Sequence, residues 1–327
     1  MAWNEFKRGK RKKPDVQRFE FNLEDNLFKL NWLLRTGRYR HGDYQKFSIN
    51  DPKFRIIHKA CVQDRIVHHA VFRILYPIFD KSFIYDSYSC RINKGTHKAV
   101  KRLELFTKKM SRNYRLPCFV LKCDIAKFFN TIDYQILINL IERKIKDIRV
   151  MNIIREIIYS YKTVQDKGVP LGNLTSQLFA NIYMNEFDQF VKHELKIKKY
   201  IRYTDDFVFV YHDEQFLKEI NSKSGNFLWN KLKLEFHPKK VSVRRLNQGI
   251  DFLGYIIFPY HTVLRTRSKQ RMHAKIYKRL IEYNTGRLSR VSFNQTMQSY
   301  YGILQHCYGK DQKKIINAII YNYCNFI

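Results

Sequence analysis

The sequence predicts a mixed α/β fold of the α+β kind, with helices around an antiparallel sheet. Three observations carry this. Lys199–Tyr211 (KYIRYTDDFVFVY) sets two adjacent carboxylates, Asp205 and Asp206, between runs of Ile, Tyr, Phe and Val. Such residues favour strands, so the simplest local structure is a β-hairpin with the acids at its tip. Phe119–Cys123 is a short apolar run closed by Asp124, which reads as a buried strand. Several longer segments place apolar residues at helical spacing.

The elements follow in order. The opening run Lys7-Arg8-Gly9-Lys10-Arg11-Lys12-Lys13 predicts a solvated, disordered tail over about the first 20 residues, with a phosphate-binding arm as the alternative. Phe21–Leu34 carries Leu23, Leu27, Leu30 and Leu34 at helical spacing, a stripe expected to pack in the core. Tyr44–Ile57 alternates enough for a short strand pair and contains Lys53 and Arg55. Asp64–Phe79 is an amphipathic helix that Pro77 should end. Thr96–Met110 is a basic helix, and Ile136–Tyr161 a long helical stretch broken near Asp147. Gly168–Asn185 (GVPLGNLTSQLFANIYMN) opens as a constrained loop. Thr175 or Ser176 should cap a helix running from Gln177 to about Leu195. Small residues at that helix start suit close approach of a backbone or base pair, although a plain capped helix after a turn has the same pattern. Phe216–Leu232 is helical, Gly249–Phe258 reads as another hairpin, and basic helical patterns fill the chain from Leu264 to its end.

Composition narrows the function. Lys and Arg number 61 against 29 Asp and Glu, a formal charge of +32 with a pI near 9.9. Polyphosphate is the natural partner for such a chain. An anionic membrane surface competes, but no 18-residue apolar stretch or signal peptide is apparent. Aromatic residues make up 15% of the chain, enough to fill a core and leave some to stack on bases. The length suits a large core or two to three subdomains. Cys61, Cys90, Cys118, Cys123, Cys307 and Cys324 form no CxxC pair, which points to a reducing cytosol and away from a zinc ribbon. His58, Cys61, His68 and His69 lack a second paired half and read as core and surface residues.

A lone Asp at a strand end also suits a helix cap, and an Asp pair also suits an ordinary polar turn. If strand and hairpin are neighbours in one sheet, Asp124, Asp205 and Asp206 converge. Three hard oxygen ligands of this kind suit Mg²⁺, and two such ions can hold the attacking and leaving oxygens of an in-line phosphoryl transfer.

In this order the blocks resemble the reverse transcriptases, over roughly residues 45 to 260. Lys53-Phe54-Arg55 with Gln63-Asp64-Arg65 is similar to the first fingers block. Tyr88-Ser89-Cys90-Arg91 with Gly95-Thr96-His97 is similar to the second. Cys123-Asp124 through Phe129 and Tyr203-Thr204-Asp205-Asp206 resemble the two palm carboxylate motifs. Gly168–Gln177 resembles the template-side loop and helix, Lys240 the lysine of the next block, and Phe252-Leu253-Gly254-Tyr255 the primer grip. The resemblance implies a right hand: a basic N-terminal extension and helix (1–45), fingers (46–118), a palm with interleaved fingers helices (119–260) and a helical thumb (261–327). Only about 65 residues follow the primer-grip block, which leaves no room for a ribonuclease H domain beside a thumb.

The family's chemistry implies that Asp124 and Asp205 bridge two Mg²⁺ ions, with Mn²⁺ as a substitute, that the Ile125 carbonyl adds a ligand, and that Asp206 assists. Lys53, Arg55 and Lys240 would contact the deoxynucleoside triphosphate, with Lys240 a candidate acid for the leaving pyrophosphate. Arg91, Leu171, Gly172 and Gln177 fall on the template side, and Phe252, Leu253 and Gly254 would grip the primer. Phe129 stands where the family places a bulky group under the incoming sugar, excluding a 2′-hydroxyl. It competes with Phe128, since one of the two rings must point inward.

Leu171-Gly172-Asn173-Leu174-Thr175-Ser176-Gln177 has Leu and Gln where most bacterial relatives have Gln and Pro. That pattern resembles the reverse transcriptases of diversity-generating retroelements, which copy a template RNA with errors at adenines. It implies an RNA template, a DNA or RNA primer, a structured non-coding RNA, a small basic accessory oligomer, no membrane, and a cytoplasmic prokaryotic or phage-encoded protein. Retron and phage-defence enzymes share the palm, and a non-catalytic RNA-binding protein on the same fold is the alternative from another class. A splicing maturase is disfavoured because no further DNA-binding or endonuclease region follows.

Overall fold

A computed structural model describes residues 1–50, 53–162 and 166–324. The chain begins with helices α1 (Ala2–Phe6), α2 (Pro14–Phe21) and α3 (Leu23–Arg35), then strands β1 (Gln45–Ile49) and β2 (Arg55–Lys59). Helices α4 (Val62–Asp80) and α5 (Thr96–Met110) precede β3 (Phe119–Cys123) and the short α6 (Phe128–Thr131). Next come α7 (Tyr134–Glu142), α8 (Ile148–Tyr159), and α9 (Leu174–Gln189), which ends in a π-helical turn over Phe190–Glu194. The hairpin β4 (Tyr200–Tyr203) and β5 (Asp206–Tyr211), α10 (Glu214–Leu232) and β6 (Ser242–Arg245) follow. The chain closes with β7 (Ile250–Phe252), β8 (Tyr255–Ile257), β9 (Thr262–Leu264), α11 (Thr266–Asn284), α12 (Arg290–Leu304) and α13 (Lys310–Cys324). Residues 325–327 of the expected C-terminal helices lie outside the described residues.

Among the described residues the strands form three sheets: β1-β2, β4-β5-β3-β6 and β7-β8-β9. The first is antiparallel with Phe47 opposite Ile57, β3 and β6 are antiparallel with Leu121 opposite Val243, and the third is an antiparallel meander. Two compact units interleave along the chain. The first holds residues 1–94, 123–207 and 220–241, and the second holds 95–122, 208–219 and 242–327.

In the first unit α4 packs on α9 and α9 on α7. Its core holds Phe187, Tyr200 and Phe207, with Phe187 and Phe207 ring centroids 5.0 Å apart. Each buried ring removes enough apolar surface to contribute about 1.5–3 kcal/mol. In the second unit α11, α12 and α13 pack on one another around Met272, Ile276, Leu280 and Leu304. After α5, Arg112, Asn113 and Tyr114 are all left-handed, with φ of 49°, 57° and 67°. Each such residue costs about 1–2 kcal/mol, so the surrounding contacts must fix this turn.

Several expectations need correction. The N-terminal 20 residues are not a disordered tail. Trp3, Phe6 and Val16 are buried, α1 packs on α4, and Lys10 donates to the Phe6 carbonyl at 2.8 Å. The basic residues thus decorate a docked segment whose apolar anchors are few. The leucine stripe of α3 is only partly core: Leu30 is buried, Leu23, Leu27 and Leu34 are half-buried, and Phe28 and Trp32 are exposed. Pro77 does not end α4, which runs to Asp80. A proline so near the C-terminus removes one hydrogen bond and leaves its own φ helical. Neither Thr175 nor Ser176 caps α9. The helix starts at Leu174, both residues are buried within it, and Thr175 Oγ1 bonds His68 Nδ1 at 2.5 Å. Asp147, by contrast, does divide α7 from α8, accepting from the Arg149 and Val150 N–H groups.

Candidate active site

The three aspartates lie in the first unit. Asp124 is placed by backbone bonds: its carbonyl accepts from the His237 N–H at 2.8 Å, and the Ala126 N–H donates to the Glu235 carbonyl at 2.9 Å. Ile125 thereby faces Phe236 as a non-hydrogen-bonded antiparallel pair. In such a pair the residue's own N–H and C=O point away from that partner strand. Since the Ile125 side chain is buried, the carbonyl is the group it can offer.

Asp205 and Asp206 arrive on the β4–β5 hairpin. Thr204 turns the chain with φ of 59°, a strained value for a β-branched residue. Its hydroxyl donates to Ser89 Oγ at 2.6 Å, and its carbonyl accepts from Arg202 Nη1 at 3.1 Å. Arg202 is fully buried and forms a two-pronged pair with Asp188, at 2.8 and 2.7 Å. Asn181 accepts from Arg202 and donates to the Ser89 carbonyl, and Tyr200 donates to Asp188. Sequence reasoning missed this network. Its signal is an arginine inside an apolar strand, with Asn181 and Asp188 two helical turns apart on α9.

The acids feel one another. Burial, then the charges of Asp206 and Asp124, pushes the Asp205 carboxyl up to about 6, while Lys240 opposes the rise. Lys240 Nζ lies 2.9 Å from Asp124 Oδ1, so an ammonium already neutralises one of the three. Among the described residues no set of three ligating side chains stands at metal-holding distances. The donor set nevertheless fits a hard divalent cation: carboxylates within Coulomb reach of one another, one of them pushed up to about 6 by burial and by its neighbours' charge.

The other expected residues sort themselves. Phe128 is buried and Phe129 half-exposed, so Phe128 is the core ring. The Phe129 carbonyl accepts from the Val169 N–H at 2.7 Å, which ties the turn after Asp124 to the 168–172 loop. That loop is also tied to β2, because the Leu171 carbonyl accepts from the His58 N–H at 2.9 Å. Gly172 has φ of 110°, and a Cβ there would lie 2.6 Å from Ile57 Cγ2. Only glycine lets the loop approach β2 so closely. Leu171 is half-exposed, while Gln177, Lys53 and Arg55 are exposed. Arg91 differs. Its guanidinium binds Asp80 at 2.7 Å and the carbonyls of Ile84 and Ser87, so it holds its own loop instead of offering a fork to a template. In the second unit Leu253 and Gly254, with φ of 50° and 89°, form the two-residue turn between β7 and β8, next to the buried Phe252. The Gly254 carbonyl accepts from the Arg265 N–H at 3.0 Å, ahead of α11.

An aspartate at a strand end, an Asp pair on a strained hairpin and a glycine loop pinned to a β-ribbon thus lie together in the first unit. The sequence pattern of the family described as reverse transcriptase (RNA-dependent DNA polymerase) matches residues 45–257. The chain belongs to that family and is an RNA-directed DNA polymerase. It is similar to Protein YkfC of Escherichia coli (strain K12), 26% identical over 276 residues that cover 72% of this chain and 70% of that one. It is also similar to the Group II intron-encoded protein LtrA of Lactococcus lactis subsp. cremoris, 25% identical over 72% of this chain and 50% of LtrA. Among solved structures, telomerase from Candida tropicalis with a fragment of telomeric RNA superposes with a TM-score of 0.55 at 14% identity, over 88% of this chain and 58% of that one. The shared architecture is the right-hand polymerase fold. The chain spans half the length of LtrA and less than two thirds of the telomerase chain. No helix among the described residues is long and apolar enough to cross a membrane.

Proposed function

We propose that this chain copies RNA into DNA by in-line nucleotidyl transfer at Asp124, Asp205 and Asp206, with weak base discrimination opposite template adenine, as in a diversity-generating retroelement. The observation that carries the chemistry is the carboxylate cluster itself, in which burial and like charge hold Asp205 near 6. Asp124, Asp205 and the Ile125 carbonyl would hold two Mg²⁺ ions, with Asp206 assisting. A metal held there would lower the pKa of the primer hydroxyl and neutralise the departing pyrophosphate. Lys240, 2.9 Å from Asp124, is positioned to follow the charge of the substrate phosphates. Lys53 and Arg55 supply exposed cations on and before β2, and an arginine fork matches phosphate oxygens.

Phe129 supplies the sugar filter. With Phe128 taken up by the core, the half-exposed Phe129 ring is the one free to crowd a 2′-hydroxyl. Replacing Phe129 by Val should raise ribonucleotide incorporation relative to deoxynucleotide by about 10- to 100-fold, the scale of a lost steric exclusion. Single-nucleotide extension with each substrate measures this, and unchanged selectivity would return Phe129 to a packing role.

Leu171 is the fidelity candidate. An aliphatic side chain beside the templating base cannot police pair geometry by hydrogen bonding, so discrimination falls. Leu171→Gln should lower misincorporation opposite adenine by about tenfold, about 1.4 kcal/mol of restored discrimination, with other template bases little changed. Deep sequencing of cDNA made by wild type and variant on one RNA decides it. Evenly spread errors in the wild type would instead favour an intron-type or defence role, the first of which the resemblance to LtrA supports.

A further inference from the structure

We propose that a cavity in the second unit holds a backbone phosphate of a nucleic-acid strand. The cavity measures about 170 Å³, and its polar lining includes Ser111, Tyr114, Arg115, Arg245 and Asn247. No Asp or Glu lines it. Arg245 ends β6, opposite Phe119 and at the edge of its sheet. Arg115 follows the left-handed run Arg112-Asn113-Tyr114. Among the described residues neither guanidinium has an ion-pair partner.

The turn that presents Arg115 is fixed. The Asn113 N–H donates to the Lys108 carbonyl, the Tyr114 N–H to Ser111 Oγ, and the Arg115 and Leu116 N–H groups to the Ser111 carbonyl, each at 2.9 Å. Three successive residues in a sparsely populated conformation, held by so many bonds, mark a shape maintained for a purpose. Tyr114 is braced further by Tyr260, ring centroids 4.7 Å apart. Two arginines lining one concavity, each with a planar fork, suit phosphate oxygens. The volume is that of about six waters, enough for a phosphate with part of its sugar, and Leu116 and Pro259 add apolar wall. A free triphosphate is a poorer fit, because it travels with Mg²⁺ and no carboxylate is present to share the ion.

The test measures binding of a labelled single-stranded RNA by fluorescence polarisation across a salt series. The variants are Arg115→Gln, Arg245→Gln and the pair together, with Lys108→Ala/Lys109→Ala on α5 as a control for general surface charge. If both forks grip one phosphate, either single change should weaken binding nearly as much as the pair. The pair should also flatten the slope of log K against log salt by about 0.7 to 1. Unchanged thermal midpoints confirm that the variants fold. Single losses that simply add, at the size of the control pair, would mean a diffuse positive field and overturn the proposal. So would intact RNA binding with loss only of inorganic phosphate or deoxynucleoside triphosphate binding, which would make the cavity a free-anion site.

Discussion

Asp205→Asn should abolish primer extension and at the same time stabilise the protein. The activity loss follows from removing a charge meant for a divalent cation. Metal-assisted stabilisation of a phosphoryl transition state is worth several kcal/mol, so extension should fall by about 10³-fold or more. The stability gain follows from the carboxyl's position. Asp205 ionises near 6 in the fold against 3.8 unperturbed, because burial, Asp206 and Asp124 all disfavour its charge. The folded state therefore holds this proton more tightly than the unfolded chain. Above about pH 6 the ionised group costs the fold about 3 kcal/mol. The cost shrinks as pH falls toward 4 and vanishes below it, where both states are protonated. Asparagine carries no such penalty. Thermal midpoints should separate in favour of the variant above pH 6 and converge near pH 4. Mg²⁺ should raise the midpoint of the wild type and leave the variant's nearly unmoved, since only the former gains a ligand that prefers the folded state. A variant that is inactive but no more stable at pH 8 would show that Asp205 is not strained by its neighbours. A variant that extends primers would remove the residue from the chemistry.

How far the sequence foretold this site depends on which forces act locally. β3, α5 and the two hairpins were legible because burial imposes a period of two or 3.6 on the residues themselves. The expected strand Phe119–Cys123 and helix Thr96–Met110 match the observed bounds. Asp124, Asp205 and Asp206 were legible as strand-end and turn acids, and mutual repulsion made a cation the natural fourth party. What stayed hidden was non-local. Nothing near Pro14 announces that Val16 is buried, or that Asp15 meets Lys59 at 2.6 Å and Arg65 at 2.5 Å. Six basic residues between Lys7 and Lys13 mask, in the sequence, a segment anchored by the buried Trp3, Phe6 and Val16. The expected caps of α9, Thr175 or Ser176, fail for a similar reason. Thr175 is a good cap locally, but His68 takes its hydroxyl, and Asn173, which stands at the cap position, spends its side-chain amide on the His58 carbonyl. Tertiary bonds of that sort leave no periodic trace.

Arg202 shows what such a hidden contact is worth. Replacing it by Met should destabilise the protein by about 3–5 kcal/mol, the cost of leaving a buried carboxylate without its partner. Asp188 is fully buried and would retain only the Tyr200 hydroxyl among its present donors. Removing both charges, as Arg202→Met with Asp188→Leu, should recover most of that loss, because an apolar pair of similar volume has no desolvation penalty to offset. The instructive variant is Arg202→Lys. A lysine keeps the charge but presents three donors from a point, and cannot span both Asp188 oxygens, Asn181 and the Thr204 carbonyl together. The ion pair would survive in weakened form, while the bond restraining Thr204 in its strained conformation would be lost. Stability should then fall modestly, whereas the extension rate should fall much further, because Asp205 and Asp206 directly follow that residue. Denaturant unfolding and single-turnover extension on the same three variants separate the two effects. If Arg202→Lys loses activity only in proportion to stability, the buried pair supports the fold alone. If its rate drops while the double variant remains stable yet inactive, the arginine sets the position of the catalytic turn.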